Sequence, residues 1–153
     1  MTYKEVELND KVLALLIGLS EAWAAEDSCR GYRANGRQDI EGNRIFLAED
    51  GDGVAGYLFG KVCGSENQSS VMPEGTPYFE VEELYVVPEK RSRGIGEKLF
   101  RFAEEAVGTE ADYIVLSTAT KNWKAILHFY IDVLGMTFWN ARLFRKIGKD
   151  KTQ

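Results

Sequence analysis

The chain of 153 residues carries one histidine, two cysteines and fewer cations than anions, and each shortage closes off a class of function. With only His128 to offer an imidazole, and with Cys29 and Cys63 in no metal-ligand spacing, a zinc site has almost nothing to draw on, so reduced thiols and no metal are expected. Lys and Arg number 19 against 24 Asp and Glu, a formal charge of −5, which opposes broad binding to nucleic acid or an anionic membrane and suits a cationic small molecule better. No apolar run approaches the length of a bilayer span, and Met1-Thr2-Tyr3-Lys4-Glu5 has no apolar signal core, so the expected location is cytoplasmic. Gly-x-x-x-x-Gly-Lys-Ser/Thr occurs nowhere, which removes the P-loop nucleotidases.

What is present, 44% hydrophobic residues, supports one core and a single domain over 1–153. The chain is organised around Leu84 to Leu99. There a run of β-branched and aromatic residues breaks at Pro88, passes through Arg91 and Arg93 into Gly94-Ile95-Gly96, and becomes an amphipathic helix. The first N–H groups of a helix have no partner within it, and the helix dipole adds positive charge at the same place. Gly94 and Gly96 let the backbone approach a ligand closely, and Arg91 and Arg93 supply mobile charge. Such a loop suits an anion, and a pyrophosphate fits it. It is not a dinucleotide fingerprint, because Leu99 stands where the third glycine belongs.

Around this centre the pattern alternates between periods of two and 3.6. Tyr3 to Leu8 reads as an edge strand, after which Asn9 or Asp10 can cap a helix with the stripe Val12, Leu16, Leu19 and Trp23. Trp23 reads as core packing, with a place at a substrate cleft as the alternative. Glu26 to Gly42 is polar and glycine-rich, with room for a short second helix. Arg44–Glu49 and Val54–Val62 are strands joined at Asp50-Gly51-Asp52-Gly53, and Gly64 to Pro77 is a long loop of the kind that binds or moves. Tyr78 to Val87 is the longest strand. The helix from Ile95 ends at Gly108, and a crossover of this kind makes the strand Tyr113–Ser117 parallel to the Tyr78 strand. A helix from Trp123 to Leu134 stops at Gly135. Met136 to Lys146 then reads as one or two closing strands, whose edge would offer a homodimer contact.

The order of elements, with Val-x-Pro closing a strand, Arg91-x-x-Gly94-x-Gly96 opening a helix, and a Phe129-Tyr130 helix ending in Leu-Gly, resembles the GNAT superfamily of N-acetyltransferases. The likeness is sharpest from Glu82 to Leu99 and near Tyr130, and within the superfamily it leans toward acetyltransferases of small amines such as diamines. It implies an α/β fold, a twisted and mostly antiparallel mixed sheet of six to seven strands with a central parallel pair splayed for CoA, flanked by about four helices. It implies acetyl-CoA as the cofactor, coenzyme A as product, and transfer of the acetyl group to a primary amine by direct attack in a ternary complex. A protein or peptide N-terminus, a lysine side chain, and a non-catalytic acyl-CoA sensor are the alternatives.

The resemblance also implies which residues act. The backbone of Arg91, Ser92, Arg93, Gly94, Ile95, Gly96, Glu97 and Lys98 would hold the pyrophosphate, and the edge of Leu84, Tyr85 and Val86 would pair with the pantetheine arm. An acceptor amine resembles Lys, with a pKa of about 10.4, and must lose a proton before it attacks; a carboxylate can take it. Glu82 and Glu83 are the candidates, on opposite faces by strand alternation. Glu82 falls where diamine-type relatives carry a glutamate, and alternation puts it with Glu80, Leu84 and Val86. Tyr130 would protonate the leaving thiolate, the alternative being a core tyrosine. Asn122, eight residues before it where family members often place an asparagine seven before, would contact the pantetheine or cap the helix. Glu26, Asp27, Asp39, Glu41 and Glu74 could attract a cationic acceptor, with solvated surface as the reading of most of them.

Overall fold

The computed structural model describes residues 1–148. Five strands form one sheet in chain order: β1 (Thr2–Val6), β2 (Arg44–Asp50), β3 (Gly53–Gly64), β4 (Pro77–Val86) and β5 (Tyr113–Leu116). All neighbours are antiparallel except β4 and β5, which the crossover helix α3 (Ile95–Val107) makes parallel. The expected six or seven strands are therefore five among the described residues, and the parallel pair is at the edge of the sheet rather than in its middle. The difference lies past Gly135: Met136 to Lys146 pairs with nothing there, and Phe138, Leu143 and Phe144 are exposed.

Each face of the sheet has its own core. On one, α3 packs Ile95, Leu99, Phe100, Ala103 and Val107 against Phe46, Leu58, Phe79 and Val81, so its apolar stripe is spent on the sheet as the periodicity predicts. On the other, α1 (Asp10–Ala25) lays Val12, Leu13 and Leu16 over Ile45, Leu47, Tyr57, Phe59 and Tyr85. Asn9 caps α1, its Oδ1 accepting the Val12 N–H at 2.8 Å. The short helix α2 (Arg37–Ile40) buries Ile40 beside this second core.

Between β3 and β4 the register slips. Phe59 faces Glu83 but Gly60 faces Val81, which leaves Glu82 as the extra residue of a bulge. Gly60 permits it, since a Cβ there would run into the Glu80 carbonyl. The bulge exchanges faces: Phe79 and Val81 point to the α3 core, and beyond it Leu84 and Val86 do. Strict alternation, which grouped Glu82 with Leu84 and Val86, is thus corrected. Glu83 shares the α1 face with Tyr57 and Tyr85, and Glu82 is exposed.

The Ser65–Thr76 connection is not an open binding loop either. Ser65 Oγ donates to Pro73 O at 2.8 Å and accepts the Thr76 N–H at 2.9 Å, while Met72 is buried. It is a tip packed on its own side chains at the end of a long β3–β4 hairpin.

Candidate active site

Parallel pairing between β4 and β5 runs from Tyr78 and Tyr113 to Val81 and Leu116 and stops there. Beyond that point β4 continues through Glu82 to Val86 with no neighbour on its β5 side, so the bulge and the parting of the strands coincide. A cavity of about 920 Å³ opens in the gap. It is lined by Glu82, Glu83, Leu84, Tyr85, Val86, Arg91, Ser92, Gly94, Ile95, Gly96, Glu97, Asn122 and Tyr130, all named from the sequence; Arg93 and Lys98 lie outside it.

At one end stands the N-terminus of α3. Pro88–Lys90 forms a single 3-10 turn, Ser92 (φ 63°) and Gly94 (φ 79°) are left-handed, and no side chain caps the helix. The amides of its first turn, uncapped by a side chain and with the dipole behind them, suit an anion. The loop is held from both sides: Lys90 pairs with Asp50 and with Asp52 of the β2–β3 turn, and Arg91 makes a two-pronged bond to Glu26 at 2.7 and 3.0 Å. Burial raises the Glu26 carboxyl, but bonds from Arg91 and Tyr85 outweigh it and hold the group below its ordinary value. Arg91 is therefore a brace for the loop rather than the mobile cation expected. Glu97 is turned along the helix to Arg101 at 3.2 Å, away from the free amides.

At the other end, on the α1 side, Glu83 is fixed by three donors on one oxygen. Its Oε1 accepts from Tyr57 O–H at 2.7 Å, Asn35 Nδ2 at 2.9 Å and Tyr32 O–H at 3.1 Å. Oε2 takes no bond from the described residues and is not sealed from solvent. Burial raises the Glu83 pKa, and the three hydrogen bonds only partly oppose it. Such a carboxylate is oriented through one oxygen and basic through the other.

Tyr130 enters from the third side, on a π-helical turn (His128–Val133) that continues α4 (Trp123–Leu127). Burial first, and the neighbouring Cys29 second, push its phenol up to about 12, so it keeps its proton at neutral pH. Asn122 lies at the start of α4 without capping it through its side chain. A strap closes the gap over Tyr130: Arg30 N–H donates to Ala119 O at 2.9 Å and Lys121 N–H to Ser28 O at 2.8 Å.

Several of these residues carry no sequence signal. Tyr32, Asn35 and Tyr57 are far from Glu83 along the chain, and Tyr57 reads as an ordinary strand aromatic. Trp23 is half-buried, packs against the α1-side core as its helical stripe predicts, and also lines the cavity. Among the described residues no group of three His, Cys, Asp or Glu side chains is spaced to hold a metal ion, and no helix is long and apolar enough to cross a membrane.

The sequence profile of the acetyltransferase (GNAT) domain matches residues 41–132. No curated protein matches the chain in sequence. Among solved structures it is similar to the aminoglycoside N-acetyltransferase AAC(6')-Iy in complex with CoA, at 15% identity and TM-score 0.66, covering 96% of this chain and 99% of that one. An aminoglycoside acetyltransferase from an uncultured soil metagenomic sample, in complex with trehalose, superposes with TM-score 0.67 at 15% identity, covering 97% and 96%. A transcriptional regulator from Bacillus halodurans does so with TM-score 0.69 at 17% identity, covering 95% and 100%.

Proposed function

The chain belongs to the GNAT acetyltransferase family and is an acyltransferase enzyme; from that premise we propose that it moves the acetyl group of acetyl-CoA to the primary amine of a small cationic molecule. The observation that carries this is the gap between β4 and β5, where an uncapped helix N-terminus, an unpaired strand edge, an oriented carboxylate and a protonated phenol meet in one cavity. In this reading the chain acts as one cytoplasmic domain.

The residues present fit CoA. The amides from Ser92 to Glu97 suit a pyrophosphate, and the free edge of Leu84, Tyr85 and Val86 offers backbone groups to the amides of a pantetheine arm. Acetyl-CoA supplies an activated acetyl group. Glu83 takes the proton that the ammonium must lose, directly or through water, with Oε2 as the receiving atom. The amine nitrogen then bonds to the acetyl carbon as the carbon–sulfur bond breaks. The Tyr130 O–H would give its proton to the departing sulfur and take back the second proton that the nitrogen sheds on becoming an amide, and a backbone N–H of the bulged strand near Leu84 to Val86 would polarise the carbonyl. Glu82, exposed on the bulge, sits at the mouth as a guide for the cation.

The test is release of free thiol from acetyl-CoA with a panel of primary amines, alongside thermal unfolding with and without CoA. Turnover with at least one amine, and a Tm raised by CoA, is expected. A Tm unmoved by saturating CoA would refute the reading.

A further inference from the structure

We propose that the acceptor carries a single positive charge on a flat, apolar body, an arylalkylamine in chemical class, and that Trp23 and Tyr32 select it. This rests on the acetyl transfer read above and adds the acceptor's chemistry.

The first observation concerns five acidic side chains that do not line the cavity, four of them paired with a cation within the chain. Glu26 is taken by Arg91, Asp27 by Lys121 at 3.1 Å, Asp39 by Arg33 at 3.3 Å and Glu41 by Arg37 at 3.2 Å. Glu74 is turned to the Asn67 N–H at 3.1 Å on the β3–β4 tip. Four of the five acids weighed as attractors of a cation are thus paired, and Glu74 stands apart on the hairpin tip. In the cavity lining Glu97 is paired with Arg101, Lys90 with Asp50 and Asp52, and Arg91 with Glu26, so Glu82 and Glu83 stand against Arg30 alone and leave one net negative charge, enough for one cation. A polycation entering would leave ammonium groups desolvated without partners, and exposed Arg30 at the strap would repel it.

The second observation is what stands where those carboxylates would be. The Trp23 ring lies 4.3 Å from that of Tyr32 and 5.1 Å from that of Tyr85, centroid to centroid, and Tyr57 lies 5.8 Å from Tyr85. Of these, Trp23 and Tyr32 are only half-buried, and both line the cavity. Tyr85 and Tyr57 are buried beneath them. The hydroxyl of Tyr32 is itself a donor to Glu83, so the aromatic wall and the one oriented carboxylate are adjacent. A flat body lying against the wall brings an amine on a short tether to Glu83. The wall gains by stacking and apolar burial, and the ring faces favour one approaching cation.

The experiment measures kcat/KM with phenethylamine, butylamine, spermidine and kanamycin. Phenethylamine is expected to exceed butylamine and spermidine by about tenfold, the scale of one aromatic pair. In Trp23→Ala that preference over butylamine should collapse toward unity, chiefly through KM for phenethylamine, while Trp23→Phe keeps most of it. Because the preference is a ratio within one preparation, partial loss of folded enzyme cancels. Spermidine or kanamycin as the best substrate, or a ratio unchanged in Trp23→Ala, would overturn the proposal and leave acetyl transfer standing. No turnover with any amine, with CoA still raising Tm, would overturn acetyl transfer and this proposal with it.

Discussion

The glycine loop before α3 and the aromatic wall around Glu83, which meet where Arg91 lies 5.4 Å from the Tyr85 ring, are built in different ways. The loop is a single continuous stretch from Val87 to Lys98, and its working parts are backbone amides whose direction follows from the turn and the helix start. The wall is assembled from α1, the Tyr32–Asn35 segment, β3 and β4, and its working parts are side chains. Local backbone chemistry can be specified by a few adjacent residues, whereas an oriented carboxylate needs donors brought from several elements. The loop nevertheless leans on distant residues, since Arg91 and Lys90 tie it to α1 and to the β2–β3 turn.

If the two regions are separate devices, substitutions at Glu83 and its donors should act on the chemical step, those at Trp23 on acceptor KM, and loop substitutions on CoA affinity. The largest effect is expected for Glu83→Gln, with kcat lowered by about 10²- to 10⁴-fold, the usual scale of a lost general base. Its Tm should hold or rise, because a buried charge is replaced by a neutral isostere of the same shape. The same burial sets the sign of the pH dependence of stability. The folded pKa lies above the unfolded one, so Glu83 destabilises the fold as pH rises through that window, and the Tm difference between variant and parent should grow with pH from the acid side. An equal fall in Tm and kcat would make Glu83 structural.

Tyr130→Phe should lower kcat by about 10²-fold with CoA binding by calorimetry unchanged. Weakened CoA binding with an unaltered rate would move Tyr130 out of the acid role. Gly94→Val reverses the pattern: a β-branched residue at φ 79° is strained by about 1–3 kcal/mol, so CoA affinity should fall by roughly 5- to 150-fold at a kcat, under saturating donor, close to the parent's. Tyr57→Phe removes a hydrogen bond that holds the Glu83 pKa down, and should shift the acidic limb of kcat to higher pH. A shift to lower pH would contradict the network. The smallest change is expected for Glu82→Gln, about twofold or less in kcat, in keeping with an exposed group worth ~0.5 kcal/mol. If Glu82→Gln were the more damaging of the two, the proposed roles of these neighbours would be exchanged.

Much of the fold was legible before any coordinates. Asn9, the Asp50–Gly53 turn, the Ile95 stripe and Gly108 mark their elements by chemistry that acts within a few residues. Family likeness implies the splay of β4 from β5, and it begins where pairing ends at Val81 and Leu116. What failed did so where distance along the chain matters. Alternation misgrouped Glu82 because the bulge that shifts it depends on Gly60 across the sheet. The closing strands past Met136 rest on apolar pattern alone, and among the described residues that segment pairs with no strand.

The sequence by itself determined the donor end: two glycines, a strand stop and a helix start within one stretch, enough to place free amides because backbone geometry is local. Only the tertiary structure decided which glutamate is oriented, that Arg91 pairs with Glu26, and that Trp23 and Tyr32 line the cavity beside Glu83. Those outcomes depend on contacts between residues far apart in the chain, and no spacing in the sequence records them.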